Sequence, residues 1–140
     1  MNVSVHEVSW ECHHIELREI RRAVFIEEQN VPQELEWDGM DETSVHFVAE
    51  SSDGGVIGTA RLMPSGQIGR MAVLIPYRNQ GIGRKLLDFA IRRAGQRGVK
   101  KVFLHAQSHA LEFYRKAGFV AEGPEFDEAG IPHRSMTRTV

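Results

Sequence analysis

The stretch "NVSVHEV" at residues 2–8 alternates apolar and polar side chains with period two, the pattern of a half-buried first strand. Between residues 14 and 28 the period lengthens. Leu17, Ile20, Val24 and Phe25 fall at i, i+3, i+7 and i+8, which predicts a helix lying on a core, with Arg18, Arg21 and Arg22 on its polar face. "NVPQELEWDGMDE", with Pro32 and Gly39, reads as an irregular loop with room for a short helical turn. Three strand patterns follow: "SVHFVAES", then "GGVIGTARLM" after an Asp53-Gly54 turn, then "GQIGRMAVL" after Pro64-Ser65-Gly66. Together they predict an antiparallel meander. Next, "YRNQGIGRKLLDFAI" starts a helix that buries Leu86, Leu87, Ala90, Ile91 and Ala94, with Gly98 at its C′ position. "KKVFLHA" reads as a buried strand, and strand, helix, strand implies a right-handed parallel crossover. Ser108 is placed to cap a short helix, "HALEFYRKA", ended by Gly118; "FVAEG" and "HRSMTRTV" supply closing strands. The expected fold class is α+β, a mixed and mostly antiparallel sheet flanked by helices.

Composition narrows the setting. With 140 residues, 41% hydrophobic and 26% charged, the chain is expected to form a single domain over 1–140. No apolar run reaches the roughly 18 residues of a membrane span and the first ten residues lack a leader's pattern, so a cytoplasmic protein with no membrane partner is expected. The single Cys12 has no internal disulfide partner and reads as a packing residue or bystander rather than a nucleophile. Charge is segregated: residues 23–60 hold nine acids and no Lys or Arg, whereas residues 61–116 hold twelve Lys or Arg against Asp88 and Glu112 alone. Opposite charge in adjoining thirds suggests two ligands, or two ends of one site. Nucleic acid is not expected, because the aromatics of the basic third sit at core-like spacing. No metal site is expected either: His13 and His14 are adjacent, and His105 and His109 straddle a strand-to-helix turn.

Gly81 and Gly83 open a helix at which glycine would otherwise cost stability, so the backbone there is read as closely approached by a ligand. A turn of this kind at a helix N-terminus is an anion site. A dinucleotide fingerprint would require glycine at Leu86, and a P-loop would require Lys-Ser/Thr after the second glycine, where Arg84, Lys85 and Leu86 stand; both fail.

What remains, Arg78-x-x-Gly81-x-Gly83 after "RMAVL" and before "FYRKAGF", resembles the GCN5-related N-acetyltransferase (GNAT) superfamily over about residues 45–119. "VFIEEQNVP", "EWDGMDE", "HAQSHALEFYRKAGF" and "EAGIPH" further resemble its ElaA/YjcF-like bacterial branch. The resemblance implies a GNAT-type acyltransferase fold with splayed parallel fourth and fifth strands, and an N-acetyltransferase taking acetyl-CoA and releasing CoA. It assigns the pyrophosphate to the turn of Arg78, Asn79, Gln80, Gly81, Ile82, Gly83, Arg84 and Lys85, with the backbone amides from Gln80 to Lys85 cradling it and Arg78, Arg84 and Lys85 supplying positive charge. It assigns the pantetheine arm to the backbone of Met71, Ala72 and Val73 and to Gln107, where the family often has Asn. The N–H of Val73 would polarise the thioester carbonyl, and Tyr114 would line the donor site and protonate the leaving thiolate.

The implied chemistry is direct attack by a primary amine of a small molecule or peptide in a ternary complex. The strand "QIGRMAV" offers no base, which leaves a water chain to Glu28, His46, His105 or His133, or capture of neutral amine. The first helix and its loop would wall the acceptor side, so Glu28, Glu36, Asp38, His46, Arg61, Arg70 and His133 are the acceptor-site candidates, with acidic residues 27–42 steering a cationic amine. Arg61 and Arg70 suit a substrate carboxylate instead. A homodimer is left open. The rival reading is a non-catalytic acyl-CoA-binding sensor or regulatory module, which needs the glycine turn but neither Tyr114 nor an acceptor pocket.

Overall fold

A computed structural model describes residues 2–53 and 55–140. Strand β1 (Val3–Val8) ends at Ser9, whose hydroxyl accepts the Cys12 N–H and so starts helix α1 (Trp10–Arg21) earlier than the apolar stripe alone suggested. The helix widens into a π-helical turn, Arg22–Glu28, and Gln29 N–H reaches back to the Val24 carbonyl. A short helix α2 (Gln33–Glu36) follows in the expected loop. Strands β2 (Val45–Ser51), β3 (Gly55–Leu62) and β4 (Ile68–Val73) form the expected meander, and β1 adds beside β2 to give a four-stranded sheet. Gly54, placed in the turn between β2 and β3, lies outside the described residues.

Alternation along β2 sorts the two faces: Phe47 and Ala49 join the core under α3 (Ile82–Gln96), while Val48 packs with Leu17 of α1. All five apolar positions expected on α3 are buried. A Cβ at Gly58 would lie 3.0 Å from the Ala72 carbonyl oxygen of neighbouring β4 and 3.1 Å from Leu86 of the helix above, which explains that glycine.

The second sheet has the order β5-β7-β6, built from β5 (Lys101–Gln107), β6 (Val120–Glu128) and β7 (Ile131–Thr139). The last two form a longer hairpin than the sequence pattern indicated, turning at Ala129 and Gly130, both in the left-handed region. Among the described residues the two sheets touch through a single parallel bridge, Gln67 to Phe103, and beyond it β4 and β5 diverge. Helix α4 (Leu111–Lys116) lies beyond β5. Ser108 does not cap it: its hydroxyl donates to Glu125, and Ala110 occupies the cap position. Arg21 corrects another expectation. It is 1% exposed rather than on a solvated face, because carboxylates from α2 and the following loop meet it beneath the helix.

Candidate active site in the gap between the sheets

Divergence of β4 from β5 leaves a cleft of about 960 Å³. Leu74 N–H donates to the Ile57 carbonyl, so the neighbouring pair Gly58–Val73 is one whose members make no mutual hydrogen bonds. The amide and carbonyl of Val73 therefore point away from β3, into the gap. A bulge in β4 precedes them: Arg70 takes φ +50°, and its carbonyl accepts the Thr59 hydroxyl at 3.0 Å. Met71, Ala72 and Val73 line the cleft, as do Gln107 and Tyr114 from its far side. Gln107 is held by Gln29 at 2.9 Å and by His109 at 2.6 Å. Burial pushes the Tyr114 hydroxyl up to about 12, above the ordinary phenol value. It stays protonated throughout the neutral range.

At the head of α3, Gly81 has φ +81°, a conformation that costs glycine nothing, and a Cβ there would meet nothing within 4 Å. The turn is open above. Lys85 N–H closes onto the Gly81 carbonyl at 3.2 Å, which removes it from the expected set of free amides and leaves those of Ile82, Gly83 and Arg84 without intrahelical acceptors. Asn79 and Gln80 are exposed beside them. The cations differ from expectation. Lys85 is exposed and Arg84 pairs with Asp88 at 2.9 Å, but Arg78 turns toward the cleft. Its Nε donates to the Val73 carbonyl at 2.7 Å, and its two terminal nitrogens reach Glu28 at 2.8 and 2.7 Å. That bidentate pair holds the Glu28 carboxyl below its usual range, so neither side chain carries free charge for a ligand.

Four of the acceptor-side candidates, Glu36, Asp38, Arg61 and Arg70, meet in a partly buried network that sequence reasoning only half found. Arg21 bridges Glu36 (2.8 Å) and Asp41 (2.7 Å); Arg61 bridges Asp38 (2.8 Å) and Asp41 (3.0 Å); Arg70 reaches Glu36 and Asp38, both at 3.1 Å. Three arginines face three carboxylates. Burial would raise Asp38, yet hydrogen bonds from Arg61 and the Met40 N–H, with the charges of Arg61 and Arg70, bring it down to about 2. Burial wins at Glu36 and lifts its carboxyl. Glu36 and Asp38 are thus internally neutralised, which corrects the expectation that they steer cationic amines. His46 is also corrected. It is 1% exposed under Trp10, ring centroids 5.0 Å apart, with Nε2 on the Asp41 carbonyl, and does not line the cleft. His133, His105 and Glu128 do line it.

Comparison with known proteins decides the family: the acetyltransferase (GNAT) domain matches residues 11–140. The chain belongs to the GNAT family. As a GNAT protein it is an acyl-CoA-dependent N-acyltransferase in fold and class. It is similar to the uncharacterized N-acetyltransferase YjcF of Bacillus subtilis (strain 168), with 35% identity covering 85% of this chain and 87% of YjcF. It is 30% identical to protein ElaA of Escherichia coli (strain K12), over 95% of this chain and 97% of ElaA. The crystal structure of Escherichia coli ElaA superposes with a TM-score of 0.88 at 27% identity, covering 98% of this chain and 99% of that one. An acyl-CoA N-acyltransferase from Pseudomonas aeruginosa gives 0.82 at 28% identity, with 98% and 99% covered.

Proposed function

We propose that this chain, acting as one domain over 1–140, transfers the acetyl group of acetyl-CoA to a primary amine by direct attack in a ternary complex. The observation that carries the reading is the open gap beside β4: it places an outward-facing Val73 amide and the protonated Tyr114 hydroxyl along one cleft.

The residues fit the donor. Open amides at Ile82, Gly83 and Arg84, with exposed Lys85 beside them, suit a pyrophosphate at the positive end of α3. The edge of β4 from Met71 to Val73 and the Gln107 amide suit an extended amide-bearing arm, for which Arg78 would yield the Val73 carbonyl. The Val73 N–H would stabilise the oxyanion, and Tyr114 would donate to the departing sulfur. The acceptor would enter past α2 and the Arg70 bulge. Acetyl-CoA offered with polyamines, amino acids and amino sugars, and followed by free-thiol release, tests this reading. Thiol release that depends on the amine supports it; acetyl-CoA bound without any amine-dependent release would return the chain to a sensor role.

A further inference from the structure

His133, His105 and Glu128 belong to three different strands, yet they share one face of the second sheet. The register sets Gln107 of β5 and Phe126 of β6 opposite His133. By the two-residue alternation of strands, His105 and Glu128 therefore point to the same side as His133. All three line the cleft. Glu128 stands between the two rings, one oxygen 3.0 Å from Nδ1 of His105 and the other 3.7 Å from Nε2 of His133.

His133 is fixed by a second contact. Its Nδ1 lies 2.7 Å from the Ile131 carbonyl oxygen. A carbonyl only accepts, so Nδ1 carries the hydrogen, and in the neutral ring Nε2 is the unprotonated nitrogen. Nε2 is thus the atom that can take up a proton, and the imidazolium so formed has a carboxylate beside it. Side-chain exposure is 8% at His133, against 49% at Glu128 and 30% at His105. A proton taken at the inner end has a polar route to solvent.

We propose that Nε2 of His133 accepts a proton from the acceptor amine, and that Glu128 and His105 relay it to solvent. This rests on the amine-acylation reading above. The ammonium gives one proton to Nε2, and the neutral amine forms the C–N bond at the thioester carbon. As the C–S bond breaks, sulfur takes the Tyr114 hydroxyl proton, and the second proton lost from nitrogen restores that hydroxyl. Amide and thiol are formed, and one proton per turnover reaches solvent.

The other candidates are committed elsewhere. His46 lies outside the cleft, and Glu28 is clamped by Arg78. The groups that share the cleft with His133 are His105, Gln107 and His109 from β5 and the turn after it, Glu128 from β6 and Tyr114 from α4. Across the gap, Arg61 and Arg70 are paired with Asp38 and Glu36, and Arg78 with Glu28. Among the described residues, Glu128 is therefore the carboxylate left to stabilise a charged His133.

The test compares full-length wild type, His133→Gln and Glu128→Gln, using acetyl-CoA and whichever of spermidine, lysine or glucosamine is acetylated fastest. It records kcat and kcat/KM between pH 5.5 and 10, acetyl-CoA affinity by calorimetry, and thermal unfolding. His133→Gln is expected to lose about 10²-fold in kcat at pH 7 with acetyl-CoA affinity unchanged. Its rate should then climb about tenfold per pH unit as neutral amine replaces the base. Glu128→Gln changes an exposed residue and spares the fold. Because Glu128 joins Nε2 of His133 to His105, the variant's kcat at pH 7 should fall between those of wild type and His133→Gln. Imidazole ¹⁵N spectra should show the His133 hydrogen on Nδ1 at neutral pH. Variant pH profiles superimposable on wild type, or a hydrogen found on Nε2 instead, would overturn the proposal. A wild type that binds acetyl-CoA but acetylates none of the three amines would remove the reading beneath it, and the proposal with it.

Discussion

Arg21→Met tests whether the buried charge network is what holds the acceptor side in place. Arg21 is 1% exposed and donates three hydrogen bonds: Nε to Glu36 at 2.8 Å, Nη1 to Asp41 at 2.7 Å, and Nη2 to the Glu36 carbonyl at 3.2 Å. Methionine fills much of the same volume, so the loss is electrostatic more than steric. It leaves Glu36, Asp38 and Asp41 sharing Arg61 and Arg70. Removing one partner of a buried pair costs about 3–5 kcal/mol, which for a domain of this size lowers Tm by roughly 10–20 °C. Glu36 is already raised by burial, and without Arg21 it rises further. The penalty is greatest above the raised Glu36 value and shrinks as pH falls and Glu36 takes up a proton. Urea denaturation at pH 7 and pH 5 measures both, and Arg21→Met/Glu36→Gln should recover part of the loss. A loss under about 1 kcal/mol at pH 7, or one equal at both pH values, would refute the reasoning.

Other outcomes are expected from the same geometry. Tyr114→Phe should keep acetyl-CoA affinity and lower kcat by about 10²-fold without moving the neutral pH limbs, since the hydroxyl titrates near 12; steady-state kinetics against pH checks it. Asp38 is held near 2, so its contribution is present above about pH 4 and lost as pH falls toward 2. The gap in stability between wild type and Asp38→Asn should therefore close in acid, from at most about 2 kcal/mol before solvent screening. Glu34→Gln, at an exposed position outside the network, should change kcat/KM for spermidine by less than about twofold at low salt; a larger fall would restore electrostatic steering by the acidic loop.

The α3 stripe, the meander and the crossover were legible because each depends on local periodicity and turn chemistry. The glycine turn was legible for the same reason, its residues being contiguous. The charge network was not, because it joins α1, α2, the loop after it, β3 and β4. One signal was present: Leu17, Ile20, Arg21 and Val24 stand at i, i+3, i+4 and i+7, so Arg21 already fell within the buried stripe. Its partner Asp41 and the relay member Glu128 gave no periodic sign, and only the folded arrangement brings them to their partners. The Arg78–Glu28 pair spans fifty residues of sequence and is equally invisible to spacing. His46 misled because an alternating strand exposes one face to a helix as readily as to a ligand.

The account needs acetyl-CoA to enter the gap beside β4 over the open turn at the head of α3, and Gly83→Glu tests this most directly. A Cβ at Gly83 would make ordinary contacts, 3.5 Å to Phe113 and 4.0 Å to Val73. An acid in the first turn of a helix is favoured by its dipole, so the variant should fold at least as stably as wild type. The same carboxylate repels a pyrophosphate over that turn. Calorimetric titration of acetyl-CoA should show affinity lower by about 10²-fold, close to 3 kcal/mol, at unchanged Tm. Affinity equal to wild type in a folded variant would contradict the placement of the donor at this turn.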